Sequence, residues 1–258
     1  MTITIHPDAT RLGAYAAAFA IEKLNQAIEK HGKARLVLST GASQLTTIEA
    51  LIRGKLDWSR VEMFHLDEYV GLPITHKASF RRYLQERFVD HLSLKAVHWV
   101  TDSADCIPVL NREIARGPIN VGLIGIGENA HVAFNDPPAD FDDTAAYKVV
   151  TLDDACKRQQ VREGWFENLD LVPRQAISMT VQQIMRCETI ISCVPFAVKA
   201  EAIRKTLLAP QPDPQVPASI LKTHPDYHLH VDEDAWNGFD PANIRMPEGK
   251  TVNVRREG

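Results

Sequence analysis

Two hydrophobic patterns alternate along the chain. Short apolar runs with the length of a β-strand occupy residues 34–38, 61–66, 120–124 and 189–194. Segments between them repeat apolar residues every three or four positions, which is the spacing of one face of a helix. Strands that alternate with helices are typical of a parallel sheet with right-handed crossovers. The pattern therefore predicts an α/β fold, a Rossmann-like open and mostly parallel sheet with helices on both faces.

The helical patterns differ in length and in their end signals. The longest begins at Pro7 and ends at His31, where Gly32 is a typical C-terminal stop. Further helical patterns lie at residues 45–52, 79–92, 102–116 and 196–207.

The chain is predicted to form a single domain over residues 1–258, because we find no internal repeat or change of composition. From about residue 237 onward it is polar and rich in Pro and Gly, which predicts a loosely packed tail.

The composition is that of a globular protein. Hydrophobic residues make up 45% of the 258 residues, which is ample for a packed core. A net charge of -4 without a Lys/Arg-rich run is not the electrostatic signature of a nucleic-acid-binding protein. The four cysteines are scattered without a CxxC pair, which argues against a disulfide framework or a sulfur-ligated zinc site. With no signal-peptide pattern and no long apolar stretch, we expect a cytoplasmic protein that binds neither membrane nor nucleic acid.

A strand, a turn of small residues and a helix follow one another at residues 34–52. The turn is Thr40-Gly41-Ala42-Ser43. The first turn of a helix has unpaired N–H groups that attract an anion, and small residues with hydroxyl groups allow it to approach and add donors. The chain has no GxGxxG and no P-loop Lys, so a nucleotide is not indicated. The turn predicts an anion site, with Ser43 as an ordinary N-cap as the structural alternative.

Polar residues gather where two of the apolar runs end. Asp67 and Glu68 follow the second run, and His131 lies in the segment Gly125–Pro137 that follows the third. Ligands of parallel α/β sheets collect at the carboxyl ends of the strands, and His exchanges protons near neutral pH. These loops therefore predict proton-transfer chemistry. The alternative is that their polar residues only satisfy the loop backbone.

Together these two loops resemble those of glucosamine-6-phosphate deaminases. The resemblance is carried by Phe64–Pro73, read Phe-His-Leu-Asp-Glu-Tyr-Val-Gly-Leu-Pro, and by Gly125–Pro137, read Gly-Ile-Gly-Glu-Asn-Ala-His-Val-Ala-Phe-Asn-Asp-Pro. It extends over most of the chain. The related 6-phosphogluconolactonases share the fold, but they usually have Asp-Glu-Arg in place of Asp67-Glu68-Tyr69 and lack the Ala-Phe-Asn-Asp/Glu-Pro ending. The resemblance favours the deaminase and isomerase side of the family.

The resemblance implies a role for each matching residue. Asp67 would be the base that moves the C2 proton of a ring-opened aminosugar, and His131 would assist ring opening at O5. Arg162 and Lys199 match the basic residues that the family uses on the substrate phosphate. With the turn Thr40–Ser43 they would form a cage for a dianion.

Beside His131 the chain departs from the family's pattern. In the deaminases an Asp lies two residues before this His and a Glu five residues after it, where this chain has Asn129 and Asp136. Asn129 cannot carry a negative charge, but Asp136 can still orient and pair with His131. A changed pH profile or substrate preference is therefore expected rather than an inactive site. Glu68 and Asn135 are further candidates for substrate binding.

The resemblance implies conversion of an aminosugar phosphate, most directly glucosamine 6-phosphate, to fructose 6-phosphate and ammonia without a cofactor or metal. The expected partner is a small sugar phosphate, and a homo-oligomer is compatible with the family. Three alternatives stay open: an isomerase or deaminase of another sugar phosphate such as galactosamine 6-phosphate, a 6-phosphogluconolactonase, and a non-catalytic sugar-phosphate sensor. His228, His230 and Asp232 share one face of a predicted strand, as a metal site could, although this pattern usually marks the polar face of a sheet.

Overall fold

Strands and helices alternate along the chain, which the computed structural model describes over residues 1–257 apart from the side chain of Ala155. The strands are β1 (Thr2–His6), β2 (Ala34–Leu38), β3 (Val61–His65), β4 (Asp67–Tyr69), β5 (Ala96–His98), β6 (Val121–Leu123), β7 (Tyr147–Thr151), β8 (Gln175–Met179), β9 (Thr189–Val194), β10 (Tyr227–Asp232) and β11 (Asn253–Arg256). The α-helices are α1 (Ala9–His31), α2 (Leu45–Arg53), α3 (Phe80–Arg87), α4 (Ile107–Ile114), α5 (Asp154–Arg162), α6 (Val181–Ile184), α7 (Ala200–Leu208) and α8 (Glu233–Trp236).

Eight of the strands form one sheet in the order β11-β1-β10-β9-β6-β2-β3-β5. Every neighbouring pair in it is parallel. From β2 the chain proceeds through β3 to β5 on one side, and from β6 it proceeds through β9 to β10 on the other. The direction of strand addition therefore changes between β2 and β6. In open α/β sheets such a point leaves a crevice at the carboxyl ends of the strands.

Each face of the central sheet carries its own apolar cluster. Leu36 and Leu38 of β2 belong to the cluster that includes residues of α1, α2 and α3. Val37, between them, points to the opposite face and belongs to the cluster that includes residues of α4 and α7. Asp8 caps α1 by accepting from a backbone N–H, and Gly32 at φ 73° ends the helix. The predicted α/β fold with helices on both faces is confirmed.

A second, antiparallel sheet has the order β4-β8-β7. Its strand β4 begins only one residue after β3, and the intervening Leu66 carbonyl accepts the N–H of Met179 at 2.9 Å. The sequence predicts a turn over Asp67–Pro73, and this prediction is wrong for Asp67–Tyr69, because these residues pair with β8. A strand of three residues that begins with two acids shows no alternation of apolar and polar positions.

The two ends of the chain contribute adjacent strands that the sequence does not predict. β1 pairs with β10 on one side and with β11 on the other. The side chain of Arg255 reaches across to Thr4 Oγ1 at 3.0 Å and to the Tyr15 hydroxyl at 2.6 Å. The predicted loose tail from about residue 237 is therefore wrong in its last part. Most β11 side chains are exposed, so no apolar pattern marks the strand.

His228, His230 and Asp232 of β10 do not converge on one point. His230 Nδ1 lies 3.0 Å from His6 Nε2, and His228 Nε2 lies 2.7 Å from Asp226 Oδ1. Asp232 instead accepts backbone N–H groups. Within residues 1–257 no group of three or more His, Cys, Asp or Glu side chains is placed to hold a metal ion. Among the same residues, no helix combines the length and apolar character that a bilayer span requires.

Candidate active site

A cavity of about 470 Å³ opens among the loops at the carboxyl edge of the central sheet. It is lined by the turn after β2, the start of β4, the loop after β6, the end of α5 and the segment after β9. Two of these loops flank the point where the direction of strand addition changes, which is the expected place for a ligand. The predicted residues that line the cavity are Thr40, Gly41, Ala42, Ser43, Asp67, His131, Arg162 and Lys199.

Asp67 brings a buried carboxyl group to this cavity. It opens β4, and only 6% of the residue is exposed. Burial, reinforced by the negative charge of Glu68, raises the pKa of Asp67 to about 8. A carboxylate with a raised pKa is a stronger base than a solvated one. Asp67 thus has the environment of a general base that works near neutral pH.

His131 is held from behind by two side chains. Its Nδ1 lies 2.5 Å from Asn129 Oδ1 and 3.2 Å from Asp136 Oδ1. The Asn129 oxygen also accepts the backbone N–H of His131 at 3.1 Å, which fixes the orientation of the amide. Because both neighbours of Nδ1 are acceptors, the neutral ring carries its proton on Nδ1. Nε2 is then the nitrogen that can exchange a proton with a ligand.

Asn129 and Asp136 contact this imidazole without lining the cavity. Asn129 Nδ2 donates to Asp136 Oδ1 at 3.1 Å, so His131 and these two side chains form a closed triangle. Burial opposes a charge on Asp136, but its interactions with His131 and Asn129 outweigh burial and lower the pKa of Asp136. Asp136 is therefore a carboxylate at neutral pH and can stabilise a protonated His131.

Gly127 gives the imidazole of His131 the space that it occupies. A Cβ at this position would overlap the ring. We expect Gly127→Ala to displace the ring and to lower kcat about 10²-fold, because small misplacements of reacting groups are that costly. Steady-state kinetics with melting temperatures would measure this. Gly117→Ala is the control, since a Cβ there meets no atom closer than Arg35 Nη1 at 3.7 Å. Wild-type kcat in Gly127→Ala would show that the ring position is unimportant.

The turn Thr40–Ser43 joins β2 to α2 through a short 3-10 helix. Gly41 has φ 106°, a conformation that glycine adopts without strain. The Tyr83 hydroxyl donates to the Gly41 carbonyl at 2.9 Å, and Gln44 Nε2 donates to the Cys193 carbonyl at 3.1 Å. These bonds connect the turn to α3 and to β9. The backbone of the turn is therefore fixed where it borders the cavity.

Two of the basic side chains that border the same cavity are the predicted Lys199 and Arg162, and Lys77 is a third. Lys199 follows β9 and is 9% exposed, and burial lowers its pKa while the charges of Glu128 and Glu163 oppose that shift. Arg162 ends α5 and is largely exposed, and its guanidinium pairs with the Glu128 carboxylate. Glu128 also lines the cavity, although the sequence assigns it no separate role. An anion that enters would compete with Glu128 for Arg162.

Glu68 does not line the cavity, in contrast to its predicted role in substrate binding. Its carboxylate accepts the Ser79 hydroxyl at 2.7 Å and the backbone N–H groups of Phe80 and Arg81 at 3.2 and 2.8 Å. These are groups at the start of α3 that lack partners inside the helix. Glu68 therefore joins β4 to α3. From sequence alone, an acid beside a strand end looks the same whether it faces a ligand or a helix.

Asn135, the second predicted substrate-binding residue, also lies outside the cavity. Its Nδ2 donates to the carbonyls of Val132 and Met179, each at 2.9 Å. The neighbouring Phe134 N–H donates to Ser178 Oγ at 3.1 Å. The Asn135 amide thus attaches the His131 loop to β8. These hydrogen bonds, within the loop and to β8, explain why the motif has Asn at this position.

The sequence missed an apolar part of the cavity wall. Phe196 and Val198 line the cavity together with Phe80 and Phe134. Apolar residues near the ends of helices and strands resemble ordinary core residues, so their pattern carries no sign of a ligand site. A backbone dihedral such as the positive φ of Phe196 also leaves no sequence signal when the residue is not glycine.

Comparisons with known proteins identify relatives of the chain. A profile of the family described as glucosamine-6-phosphate isomerases/6-phosphogluconolactonase matches residues 7–229. The glucosamine-6-phosphate deaminase of Staphylococcus epidermidis (strain ATCC 12228 / FDA PCI 1200) is 35% identical over 244 residues, which cover 90% of this chain and 97% of that protein. That of Shouchella clausii (strain KSM-K16) is 35% identical over 231 residues, which cover 85% and 90%.

Solved structures include relatives with the same fold. A monomeric glucosamine-6-phosphate deaminase has a TM-score of 0.81 and 27% identity, covering 92% of this chain and 99% of that chain. A 6-phosphogluconolactonase from Thermotoga maritima has a TM-score of 0.73 at 17% identity, covering 90% and 100%, and this likeness concerns the fold alone. The fold and the relatives place the chain among α/β enzymes. It belongs to the glucosamine-6-phosphate isomerase/6-phosphogluconolactonase family.

Proposed function

We propose that the chain converts an aminosugar phosphate, in the first place glucosamine 6-phosphate, to fructose 6-phosphate and ammonia. The observation that carries the proposal is that Asp67, His131, Lys199 and the turn Thr40–Ser43 line one cavity. A buried base, a group that exchanges protons and an anion site are the parts that this reaction needs. The similarity to glucosamine-6-phosphate deaminases supports the choice of substrate.

Ring opening is the step that we assign to His131. The bond between C1 and O5 breaks, the O1 hydroxyl loses a proton and O5 gains one. A neutral imidazole with its proton on Nδ1 can accept a proton at Nε2 and return it to the other oxygen. Asp136 at 3.2 Å stabilises the positive ring in between. The step consumes no proton overall.

Proton transfer from C2 is the step that we assign to Asp67. The carboxylate takes the C2 proton, and the electron pair of that bond forms the C1–C2 double bond of an enolamine. The C1=O double bond opens at the same time, and O1 takes up a proton that is given back when ammonia leaves. Return of the proton to C1 leaves a double bond between C2 and nitrogen. Addition of water at C2 then releases ammonia and forms the ketone. Aminosugar phosphate and water are thus converted to ketose phosphate and ammonia, with all atoms accounted for.

The phosphate would bind between the turn Thr40–Ser43 and the two basic residues. Backbone N–H groups at the start of a helix and hydroxyl groups attract a dianion, and Lys199 adds a positive charge in a buried place. Arg162 would exchange its partner Glu128 for the phosphate. Anchoring the phosphate would bring the far end of the sugar to Asp67 and His131, which supplies the orientation that proton transfer requires.

The purified protein can be tested directly with glucosamine 6-phosphate. We expect ammonia and fructose 6-phosphate to form in equal amounts. Galactosamine 6-phosphate, glucose 6-phosphate and 6-phosphogluconolactone assayed in parallel would separate the epimer-specific deaminase, the isomerase and the lactonase. A correctly folded sample that releases no ammonia from either aminosugar phosphate would contradict the proposal.

We further propose that the enzyme works in the reducing environment of the cytosol. All four cysteines are free of disulfides, and three of them are buried. Burial raises the pKa of the Cys187 thiol to about 12 and that of Cys193 also to about 12, so both stay protonated and unreactive. Structural cysteines of this kind are typical of proteins that need no disulfide to fold.

Asn129→Asp should change the pH dependence of the reaction. The added carboxylate would lie beside the imidazole of His131 and would hold a proton on it to higher pH. We expect the limb of the pH–rate profile that depends on His131 to move to higher pH by about one unit. Initial rates from pH 5 to 10 would measure the shift. Asn168→Asp, which changes a cap outside the cavity, is the matched control. Coincident profiles for Asn129→Asp and wild type would contradict this interpretation.

A further inference from the structure

Phe196 combines two unfavourable features. Its backbone has φ 82° and ψ 140°, a region that residues with a Cβ rarely adopt. The residue is 38% exposed, so its presence is not explained by burial in the core. Phe196 lines the cavity, three residues before Lys199. Backbone strain of this kind persists where the surrounding structure imposes it, and it concentrates at ligand sites.

The backbone of Phe196 is held from both sides. Its N–H donates to the two carboxylate oxygens of Asp232, each at 3.0 Å. Asp232 ends β10, is 2% exposed and also accepts the N–H of Ala235 at 2.8 Å. The carbonyl of Phe196 accepts the N–H of Lys199 at 2.9 Å. The conformation of Phe196 is therefore coupled to the segment that presents Lys199.

Other apolar side chains accompany this ring at the cavity. Val198 is 52% exposed, and it lies next to Lys199 in the sequence. Trp165 follows α5, and its Nε1 donates to Glu163 Oε2 at 3.1 Å. Exposed apolar groups around a buried ammonium are costly in the empty cavity, but they become buried once a ligand fills it.

We propose that Phe196 covers the bound sugar phosphate. The aromatic ring of Phe196 closes over the ligand and packs on the carbon skeleton of the sugar. It thereby keeps water from the Lys199 ammonium and from the turn Thr40–Ser43. Removal of water strengthens the attraction between the phosphate and these groups. The inference rests on the proposed function only for the class of ligand, a sugar phosphate.

The test measures binding of glucitol 6-phosphate by calorimetry. This open-chain hexitol phosphate has no carbonyl group or ring, so its binding does not depend on turnover. We expect Phe196→Gly and Phe196→Ala to raise Kd about fivefold to tenfold, as loss of one aromatic contact does. Phe196→Gly should melt at a higher temperature than Phe196→Ala, because only glycine relieves the positive φ. With glucosamine 6-phosphate, KM should rise while kcat stays within about twofold.

Asn237→Gly is the matched control. Asn237 also has a positive φ, 46°, but it ends α8 and does not line the cavity. Its replacement should leave Kd unchanged. Wild-type Kd in Phe196→Gly would overturn the proposal and would mean that the residue only forms a turn. Should both variants fail to fold, Phe196→Asn takes their place, because Asn tolerates a positive φ and removes the aromatic ring, and wild-type Kd there would likewise overturn the proposal.

The same binding experiment separates this inference from the proposed reaction. Wild-type protein that binds glucitol 6-phosphate but releases no ammonia would contradict the reaction and leave the role of Phe196 intact. Wild-type protein that binds no sugar phosphate would overturn the inference about Phe196.

Discussion

Asp67→Asn should lower kcat with glucosamine 6-phosphate by about 10²–10⁴-fold, the usual contribution of a positioned general base. The amide keeps the size of the carboxyl group but cannot take the C2 proton. Because Asn is nearly isosteric with Asp, it fits the buried position of Asp67 without a new cavity. Steady-state rates of ammonia release would measure the loss. Wild-type turnover in Asp67→Asn would remove Asp67 from the mechanism.

The pH dependence of the wild type should report the same carboxyl group. Only the ionised form is a base, so kcat/KM should rise with pH and level off above the pKa of about 8 that burial gives Asp67. A pH–rate profile of the free enzyme would measure this limb. A flat profile between pH 6 and 9 would contradict the assignment.

The same substitution should make the protein more stable at high pH. Burial raises the pKa of Asp67 from 3.8 in the unfolded chain to about 8, so the folded state favours the protonated form. Its contribution to stability is fully present below pH 3.8 and is lost as pH rises toward 8. Asparagine does not ionise, so at pH 9 Asp67→Asn should unfold with a free energy higher by on the order of a few kcal/mol.

Glu68→Gln is the matched control for the measurements of turnover and of stability. The amide group of Gln would face N–H donors of α3 that the Glu68 carboxylate now accepts. We expect a loss of about 1–3 kcal/mol in the free energy of unfolding, with turnover retained. Urea unfolding at pH 5 and pH 9 would compare the variants. Substitution of these two adjacent acids should thus have opposite effects on stability at high pH, whereas only Asp67→Asn should lower the rate.

His131→Ala is the second substitution with a large expected effect, a fall in kcat of about 10²–10⁴-fold. It removes the group that moves a proton between O1 and O5, while the backbone N–H still reaches Asn129. Added imidazole should restore part of the rate, because it can occupy the space of the lost ring and exchange the same proton. Rates of ammonia release at increasing imidazole concentration would measure the rescue.

His91→Ala is the control, since His91 is exposed and its Nε2 contacts only the Glu86 carbonyl. It should keep wild-type kcat and show no response to imidazole. A His131→Ala enzyme that works within about twofold of wild type would contradict the role given to the ring.

The central sheet was predictable because its inner strands are buried on both faces. β2 and β9 are continuous apolar runs, and such runs can be read without knowledge of their neighbours. β11 could not be predicted, since its side chains are mostly exposed and no apolar pattern marks the strand. β4 could not be predicted either, because acids occupy two of its three positions.

For the candidate site, the rule that ligands meet strand ends was sufficient to bring Asp67 and His131 to one cavity. It could not distinguish side chains that face the cavity from those that face the protein. Glu68 was therefore also predicted to lie at the site, as a substrate-binding residue, although it accepts hydrogen bonds from the start of a helix. The role proposed for Phe196 could not be predicted from the sequence, since it depends on a backbone angle.

The small antiparallel sheet supports Asp67 and the His131 loop, whereas the proposed phosphate site is supported by the central sheet. Asp67 pairs with Ser178 of β8, and the Ser178 hydroxyl accepts the Phe134 N–H of the His131 loop. Base and imidazole therefore share one support, whereas the turn Thr40–Ser43 is attached to β2. In the proposed reaction, the spacing of these two supports would fix the span from phosphorus to C2 of the substrate. Pentose phosphates, one carbon shorter, would be rejected by that span while the pair of proton carriers stays unchanged.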